Sequence, residues 1–438
     1  MKPQILIAAA ASGSGKTTFT MGLLRCLYQR GIILQPFKCG PDYIDPQFHR
    51  IAAQKTSINL DIWMTSHEEV QQIYAKYGSK AEVCITEGVM GLFDGFEKDK
   101  GSAADISQLL NIPVVLLVNA KSSAYSVAPL IYGFKHFNPN VKIAGVVFNQ
   151  VASESHFSYL KKACDDAGVE CFGYLAKCKG LEVPSRHLGL TLENEQQMNT
   201  WIEQAAKLVN DHVDIDKLLK ACTTIFKVRY EVTSTLPNPE KNIVIAQDEA
   251  FNFIYQENIS ALKKLGNISF ISPLYDKQIP ENTDLLYLPG GYPELYAAQL
   301  SSNSTMLQSI NEYARKGGAI FAECGGMMYL SQSLTMEDGI NKFAMANVFP
   351  LECTMEKAHL HLGYRETSVN GDIWRGHEFH YSEIRNPEAL PSIATQFSAK
   401  GLPTNTALYK VNNVIAGYTH WYFTPNLLKK LKLLMNYK

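Results

Sequence analysis

The chain lacks a block of like charge. It also lacks a CxxC pair, a repeated or low-complexity segment, and an apolar run long enough to cross a bilayer. Each absence removes a class of function. With 41 Lys+Arg against 42 Asp+Glu the net charge is −1, and the longest basic tracts are pairs such as Lys161–Lys162. No basic surface is therefore expected for nucleic acid or an anionic membrane, and the expected partners are small molecules. The 9 cysteines are odd in number and scattered through 438 residues. That pattern is no disulfide framework and fits a reducing, cytoplasmic setting. The apolar stretch "IPVVLLVNA" falls well short of the ~20 residues a membrane helix needs. "MKPQILIAAAA" has the look of a secretory leader, but it runs into "SGSGKTT" with no cleavage-like region, so it reads as a buried first strand.

A hydrophobic content of 46% over this length supports more than one core. In the first half, β-rich runs at Ile5–Ala9, Ile32–Phe37, Val83–Thr86, Val114–Val118 and Ile143–Phe148 alternate with stretches long enough for helices. This predicts an α/β doubly wound domain with a parallel sheet. A polar helical stretch near 195–220 precedes "VTSTLPNPEKN", rich in turn formers. We place a linker at 226–242, between domains at 1–225 and 243–438. "NIVIAQD", "ISFIS", "DLLYLPGG" and "GAIFAECGG" then predict a second α/β sheet.

"AAAASGSGKTTFTMGLLRCL" sets a glycine-rich turn between a strand and a helix. Backbone N–H groups around Gly13 and Gly15, with Lys16, Thr17 and Thr18, can surround nucleotide phosphates, and Thr17 can ligate Mg2+. Ala10 stands where GxxxxGK[ST] has its first glycine. Asp42 and Asp45 follow the second strand; Glu87 ends the third, with Asp94 past a turn. The carboxyl ends of parallel strands line the ligand crevice, so these acids are candidates for holding Mg2+ or positioning a nucleophile. Turn capping is the alternative for Asp45 and Asp94.

"FAECGGMMYL" puts Cys324 on a strand-to-helix turn flanked by small residues, the geometry of a nucleophile elbow. The following helix N-terminus is expected to lower the thiol pKa. Gly290 and Gly291 after the preceding strand, with Gly325, can supply oxyanion N–H donors. His420 in "AGYTHWYF" is the candidate base.

Seven segments in order, "KCGPDYIDPQFH", "EGVMGLFDG", "VPSRHLGL", "LPGGYPELYA", "AECGGMMYL", "RGHEFHYS" and "AGYTHWYF", resemble the cobyrinic acid a,c-diamide synthase family over nearly the whole chain. The resemblance implies a dethiobiotin synthetase-like domain that uses ATP to activate corrin carboxylates. It also implies a class I glutamine amidotransferase domain that releases ammonia from glutamine. Lys16 and Thr17 would then serve ATP and Mg2+, with Glu87 a second magnesium ligand. Asp42, Tyr43, Asp45, Glu87 and Asp94 would line the metal and macrocycle side, Cys324 would be the nucleophile and His420 its base. Asn149 resembles the asparagine that reads adenine in related synthetases, with capping as the alternative. Two departures stand out. Asn119 replaces a usual aspartate and takes no role, and Tyr422 stands where class I amidotransferases carry the glutamate that orients the base.

His359 and His361 in "HLH", with His377 and His380 in "GHEFH", are read as structuring a strand region behind the glutamine pocket rather than as a metal site. Arg186 and His187 are candidates for contact with an acidic substrate or for a salt bridge. The same chemistry on hydrogenobyrinic acid or nickel sirohydrochlorin is the neighbouring reading. A P-loop switch ATPase is the reading from another class, and a homodimer is compatible with the fold.

Overall fold

The computed structural model describes residues 1–178, 192–226 and 241–435. The chain divides into two compact units, Met1–Val232 and Thr233–Lys438. The expected linker falls mostly on 227–240, outside the described residues, as do Arg186 and His187.

The first unit is built on seven parallel strands: β1 (Lys2–Ala9), β2 (Leu34–Cys39), β3 (Ile58–Leu60), β4 (Val83–Glu87), β5 (Val114–Asn119), β6 (Ile143–Val151) and β7 (Cys171–Ala176). Their order is β3-β2-β4-β1-β5-β6-β7, and a short antiparallel strand β8 (Thr223–Thr224) joins β1. Successive residues point to opposite faces and both faces are covered, which is why the strands read as unbroken apolar runs. Val115 and Leu117 of β5 pack with Leu23, Phe48 and Trp201 on one side. Leu116 and Val118 pack with Ile131 and Leu160 on the other. Helices α1 (Lys16–Gln29) and α2 (Asp45–Ala53) leave the carboxyl ends of β1 and β2. The polar stretch after β7 forms the helices Leu192–His212 and Ile215–Ala221.

The second unit has a six-stranded sheet among the described residues, in the order β10-β9-β11-β12-β21-β20. Its strands are β9 (Asn242–Ala246), β10 (Asn267–Ile271), β11 (Leu285–Leu288), β12 (Ala319–Glu323), β20 (Leu408–Val411) and β21 (Val414–Gly417), with β20 antiparallel to β21. Two smaller four-stranded sheets go beyond the sequence-based expectation. One orders β14 (Lys342–Ala344), β13 (Ser333–Thr335), β15 (Glu352–Thr354) and β18 (Glu383–Ile384). The other orders β19 (Gln396–Ser398), β16 (His361–Val369), β17 (Asp372–His380) and β22 (His420–Trp421). The β16–β17 hairpin turns at Asn370 and Gly371, both at positive φ (54° and 85°), the Asn-Gly chemistry a two-residue hairpin loop demands.

Candidate active sites

The phosphate loop connects β1 to α1. Gly15 sits at φ 97° and ψ 18°, and a Cβ there would lie 2.1 Å from Asn149 Nδ2. Glycine is required twice over, by backbone conformation and by space. Asn149 Nδ2 donates to the Ser14 carbonyl at 2.9 Å, so the side chain at the end of β6 braces the loop. Its Oδ1 also accepts the Gln150 N–H at 2.9 Å. Gly13, also at positive φ, has open space around its Cα. Lys16 Nζ donates to the Met90 carbonyl at 2.6 Å and lies 3.3 Å from that of Ala11. Burial lowers the Lys16 pKa, with Glu87 opposing. Thr17 and Thr18 are buried in the first turn of α1. A Gly15→Ala chain should bind a fluorescent ATP analogue at least about tenfold more weakly, since the left-handed conformation alone costs roughly 1–2 kcal/mol in a non-glycine residue. Unchanged affinity would remove this loop from the nucleotide site.

Glu87 closes β4 and is 1% exposed. Its Oε1 accepts from Thr17 Oγ1 at 2.9 Å, and its Oε2 lies 2.8 Å from His49 Nε2, whose other ring nitrogen meets Ser57 Oγ at 2.8 Å. Burial pushes the Glu87 carboxyl up, but the His49 hydrogen bond and the Lys38 charge outweigh it, and its pKa falls below the usual range. Lys38 lies 3.4 Å from Asp45 Oδ2 and 3.7 Å from Asp42 Oδ2, and donates to the Gly88 carbonyl at 3.2 Å. Burial lowers the Lys38 pKa, yet Asp45, Asp42 and Glu87 together raise it, so the ammonium stays charged. Lys38 and His49 both stand inside "KCGPDYIDPQFH", but sequence reasoning passed over them in favour of the acids.

The acids divide. Capping falls to Asp42, not Asp45: Asp42 Oδ1 accepts the N–H groups of Ile44 at 2.8 Å and Asp45 at 3.1 Å, at the entry to α2. Burial, then the Asp45 charge, raises the Asp42 pKa. Asp45 is buried, and its Oδ1 has no hydrogen-bond partner. Tyr43 is buried between them in sequence. Asp94 is exposed, and its Oδ2 accepts the Gly91 N–H at 2.9 Å. That is the turn-capping alternative, while the Asp94 charge also acts on Lys16, as does that of Glu87.

In the second unit Cys324 is an elbow. It stands at φ 47° and ψ −109° between β12 and the helix Gly325–Leu330. A non-glycine residue held there stores of the order of 1–3 kcal/mol of strain. Its N–H donates to the Gly417 carbonyl at 2.8 Å. The turn lies so close to the end of β11 that a Cβ on Gly326 would meet the Leu288 carbonyl oxygen at 2.2 Å. A Cβ on Gly325 would lie 3.1 Å from the Gly291 nitrogen, so two of the expected oxyanion donors are neighbours. Gly290 has a further duty, because a Cβ there would lie 2.1 Å from His420 Cε1.

The expected lowering of the thiol pKa does not occur. Burial, followed by the charge of Glu294, raises it well above the ordinary value, and the Gly325 N–H at the head of a six-residue helix only partly opposes this. His420 is fully buried on β22, opposite His377 of β17. Burial and then the His377 and His380 charges lower its pKa to about 3, leaving a neutral imidazole across the working range, the form a general base needs. A small cavity beside the thiol is lined by Phe253, Gly291, Glu294, Met328 and Phe379 among others. Cys324 Sγ lies 3.7 Å from the Phe379 carbonyl oxygen.

Two glutamates escaped the sequence reading. Glu323 accepts from the Trp421 N–H at 2.8 Å and from the Tyr287 hydroxyl at 2.7 Å, tying the residue beside His420 to the strand that carries Cys324. Its pKa is raised to about 8 by burial. Glu294, in "PGGYPEL", lines the thiol cavity, and burial raises it to about 7. Tyr422, where an orienting glutamate was missed in the sequence, donates its N–H to the Arg375 carbonyl at 3.0 Å. His380 hydrogen-bonds Glu378 at 2.8 Å and the Ser382 carbonyl at 2.8 Å, and stacks on Tyr418 at 3.7 Å.

Among the described residues no helix is long and apolar enough to cross a membrane. Residues 5–190 match the CobQ/CobB/MinD/ParA nucleotide binding domain and residues 242–427 the CobB/CobQ-like glutamine amidotransferase domain. A cobyrinate a,c-diamide synthase of Caldanaerobacter subterraneus is 39% identical over 86% of this chain and 86% of its own length. That of Priestia megaterium is 37% identical over 96% and 94%. A hydrogenobyrinate a,c-diamide synthase of Brucella abortus is 38% identical over 95% and 97%. With more than a third of its residues shared with these proteins over most of their length, the chain belongs to the family of cobyrinate and hydrogenobyrinate a,c-diamide synthases.

Proposed function

We propose that the chain is a glutamine- and ATP-dependent ligase that converts the a and c acetate carboxylates of cobyrinic acid to amides in cobalamin biosynthesis, acting in the cytoplasm. The observation that carries this reading is the strained Cys324 elbow in a unit that also buries the neutral His420, in a chain whose other unit holds a phosphate loop with its threonine on Glu87. A nucleotide switch has no use for the thiol; an amide-forming enzyme needs both centres.

The chemistry follows from the groups. A substrate carboxylate attacks the γ-phosphorus of ATP, ADP leaves, and the acyl phosphate formed carries a better leaving group than hydroxide. His420 takes the thiol proton as Cys324 attacks the glutamine amide carbon, and the N–H groups of Gly291 and Gly325 receive the developing oxyanion. Ammonia leaves with that proton, water hydrolyses the thioester to glutamate, and ammonia displaces phosphate from the activated carboxylate. Thr17 and Glu87, with the unpartnered Asp45 oxygen, offer the hard oxygen donors that suit Mg2+. Magnesium supplies charge neutralisation at the phosphates. Lys38 holds the local balance of charge among Asp42, Asp45 and Glu87, with Tyr43 and Asp42 on the macrocycle side.

Glu294 suits the α-ammonium group of glutamine. Its carboxyl ionises near 7, so the KM for glutamine should fall as pH rises from 6 to 8, while the neutral His420 adds no imidazole limb. Glu294→Gln should flatten that dependence and raise KM at the alkaline end roughly tenfold, the scale of a charge-assisted hydrogen bond. A pH profile identical to the parent's would assign the ammonium to another group.

The relatives named for cobyrinate and for hydrogenobyrinate differ by one percentage point in identity, 39% and 37% against 38%, so identity does not select the ring. Mass spectrometry of products from Mg-ATP, glutamine and, separately, cobyrinic acid, hydrogenobyrinic acid and nickel sirohydrochlorin decides it. Two ATP-dependent hydroxyl-to-amino exchanges on cobyrinic acid support the reading. Exchange on another ring moves the substrate, and ATP hydrolysis with no exchange on any ring favours the switch ATPase.

A further inference from the structure

A cluster outside both catalytic centres has the makings of a metal site. His361 opens β16, His359 precedes it by two residues, and Glu383 opens β18. One donor atom from each lies within 4.8 Å of the others. His359 Nδ1 is 3.2 Å and His361 Nε2 3.8 Å from the same oxygen, Glu383 Oε1. Ligands bound at about 2.0–2.2 Å around a tetrahedral ion sit roughly 3.3–3.6 Å apart, so the two separations bracket the spacing a zinc ion imposes.

The second observation concerns His361 alone. Its Nε2 is shielded from solvent and has no hydrogen-bond partner. The ring is held at 4.1 Å from that of His359 and stacked at 4.6 Å and 11° on His380, so that nitrogen faces Glu383 in a fixed direction.

We propose that His359, His361 and Glu383 form a binding site for a zinc-class divalent cation, which staples the segment ahead of β16 to β18. Two imidazoles and one carboxylate match borderline ions such as Zn2+, whereas Mg2+ and Ca2+ take all-oxygen sets. Three protein ligands leave a fourth position for water. The staple lies beside the wall of the thiol cavity, since His380, Tyr381 and Ser382 line that cavity and directly precede Glu383. The strand-structuring role expected of the HLH pair thereby acquires a ligand.

The test titrates the full-length protein with Zn2+ against a chromogenic chelator, alongside His359→Ala and Glu383→Gln. The His359 side chain is mostly exposed and that of Glu383 partly so, at 58% and 43%, so the variants should fold. The parent should bind one zinc ion that each variant binds at least about 100-fold more weakly, as loss of even an outer partner of a ligand costs 10- to 100-fold. The Co2+ spectrum of that site should lack thiolate-to-metal charge transfer, which separates it from cysteine-bound metal. Equal stoichiometry and affinity in all three proteins, or a thiolate band that accounts for all the bound cobalt, would overturn the proposal.

Discussion

Cys324→Ser should abolish glutamine-dependent amidation, by on the order of 10⁴-fold or more, and leave amidation driven by an ammonium salt within about twofold of the parent. The serine hydroxyl is nearly isosteric, so the elbow at φ 47° and the packing of Gly326 against Leu288 of β11 should persist. What is lost is the nucleophile. The thiol is held protonated by burial and by Glu294, and His420, its proposed base, is neutral; a serine hydroxyl is harder still to ionise in the same surroundings. Added ammonia bypasses the step entirely. Equal loss with both nitrogen sources, at an unchanged melting temperature, would sink the division of labour between the two units.

Glu87→Gln should have the complementary signature. Amidation should fall on the order of 10²–10³-fold with glutamine or ammonium alike, the scale of losing one preorganised charged group at a reacting phosphate. Thioester formation at Cys324, trapped with hydroxylamine, should be unaffected. Glu87 accepts from Thr17, meets His49, and balances both Lys38 and Lys16. The amide removes that negative charge and puts an NH2 donor where one of the two carboxylate acceptors stood. Because the folded-state pKa of Glu87 is lowered, its stabilising contribution is present above the ordinary carboxylate range and disappears as pH falls through its folded value. The parent should therefore lose stability on acidification more steeply than the variant. An unchanged synthetase rate would remove Glu87 from the site.

The sequence was most legible where one element sufficed. The strand, glycine turn and helix around Lys16, and the elbow at Cys324, are local motifs whose mechanics demand their neighbours. Buried parallel strands likewise announce themselves as apolar runs, although the three-residue β3 was too short to show and β7 passed unread. Networks that close across strands were not legible. Lys38 and His49 stood in plain sight, but that they converge on Glu87 depends on β2 pairing with β4, a register no spacing reveals. Which aspartate caps α2 depended on backbone geometry, and it proved to be Asp42. The thiol pKa went the wrong way for a physical reason: a short helix offers a weak dipole, and desolvation with three nearby carboxylates outweighs it. The Asn-Gly turn at 370–371 was another unread local signal, and it would have disclosed the hairpin that carries His361 and His380.

The central claim is that one chain moves nitrogen from glutamine to carboxylates activated by ATP. Incubating the protein with Mg-ATP, cobyrinic acid and glutamine carrying heavy nitrogen only at its amide tests it most directly, with the product's mass read at each time point. The account predicts a product bearing two heavy nitrogens, formed only with ATP present. Amides formed without the label, or labelled glutamine hydrolysed with no transfer to the ring, would contradict it.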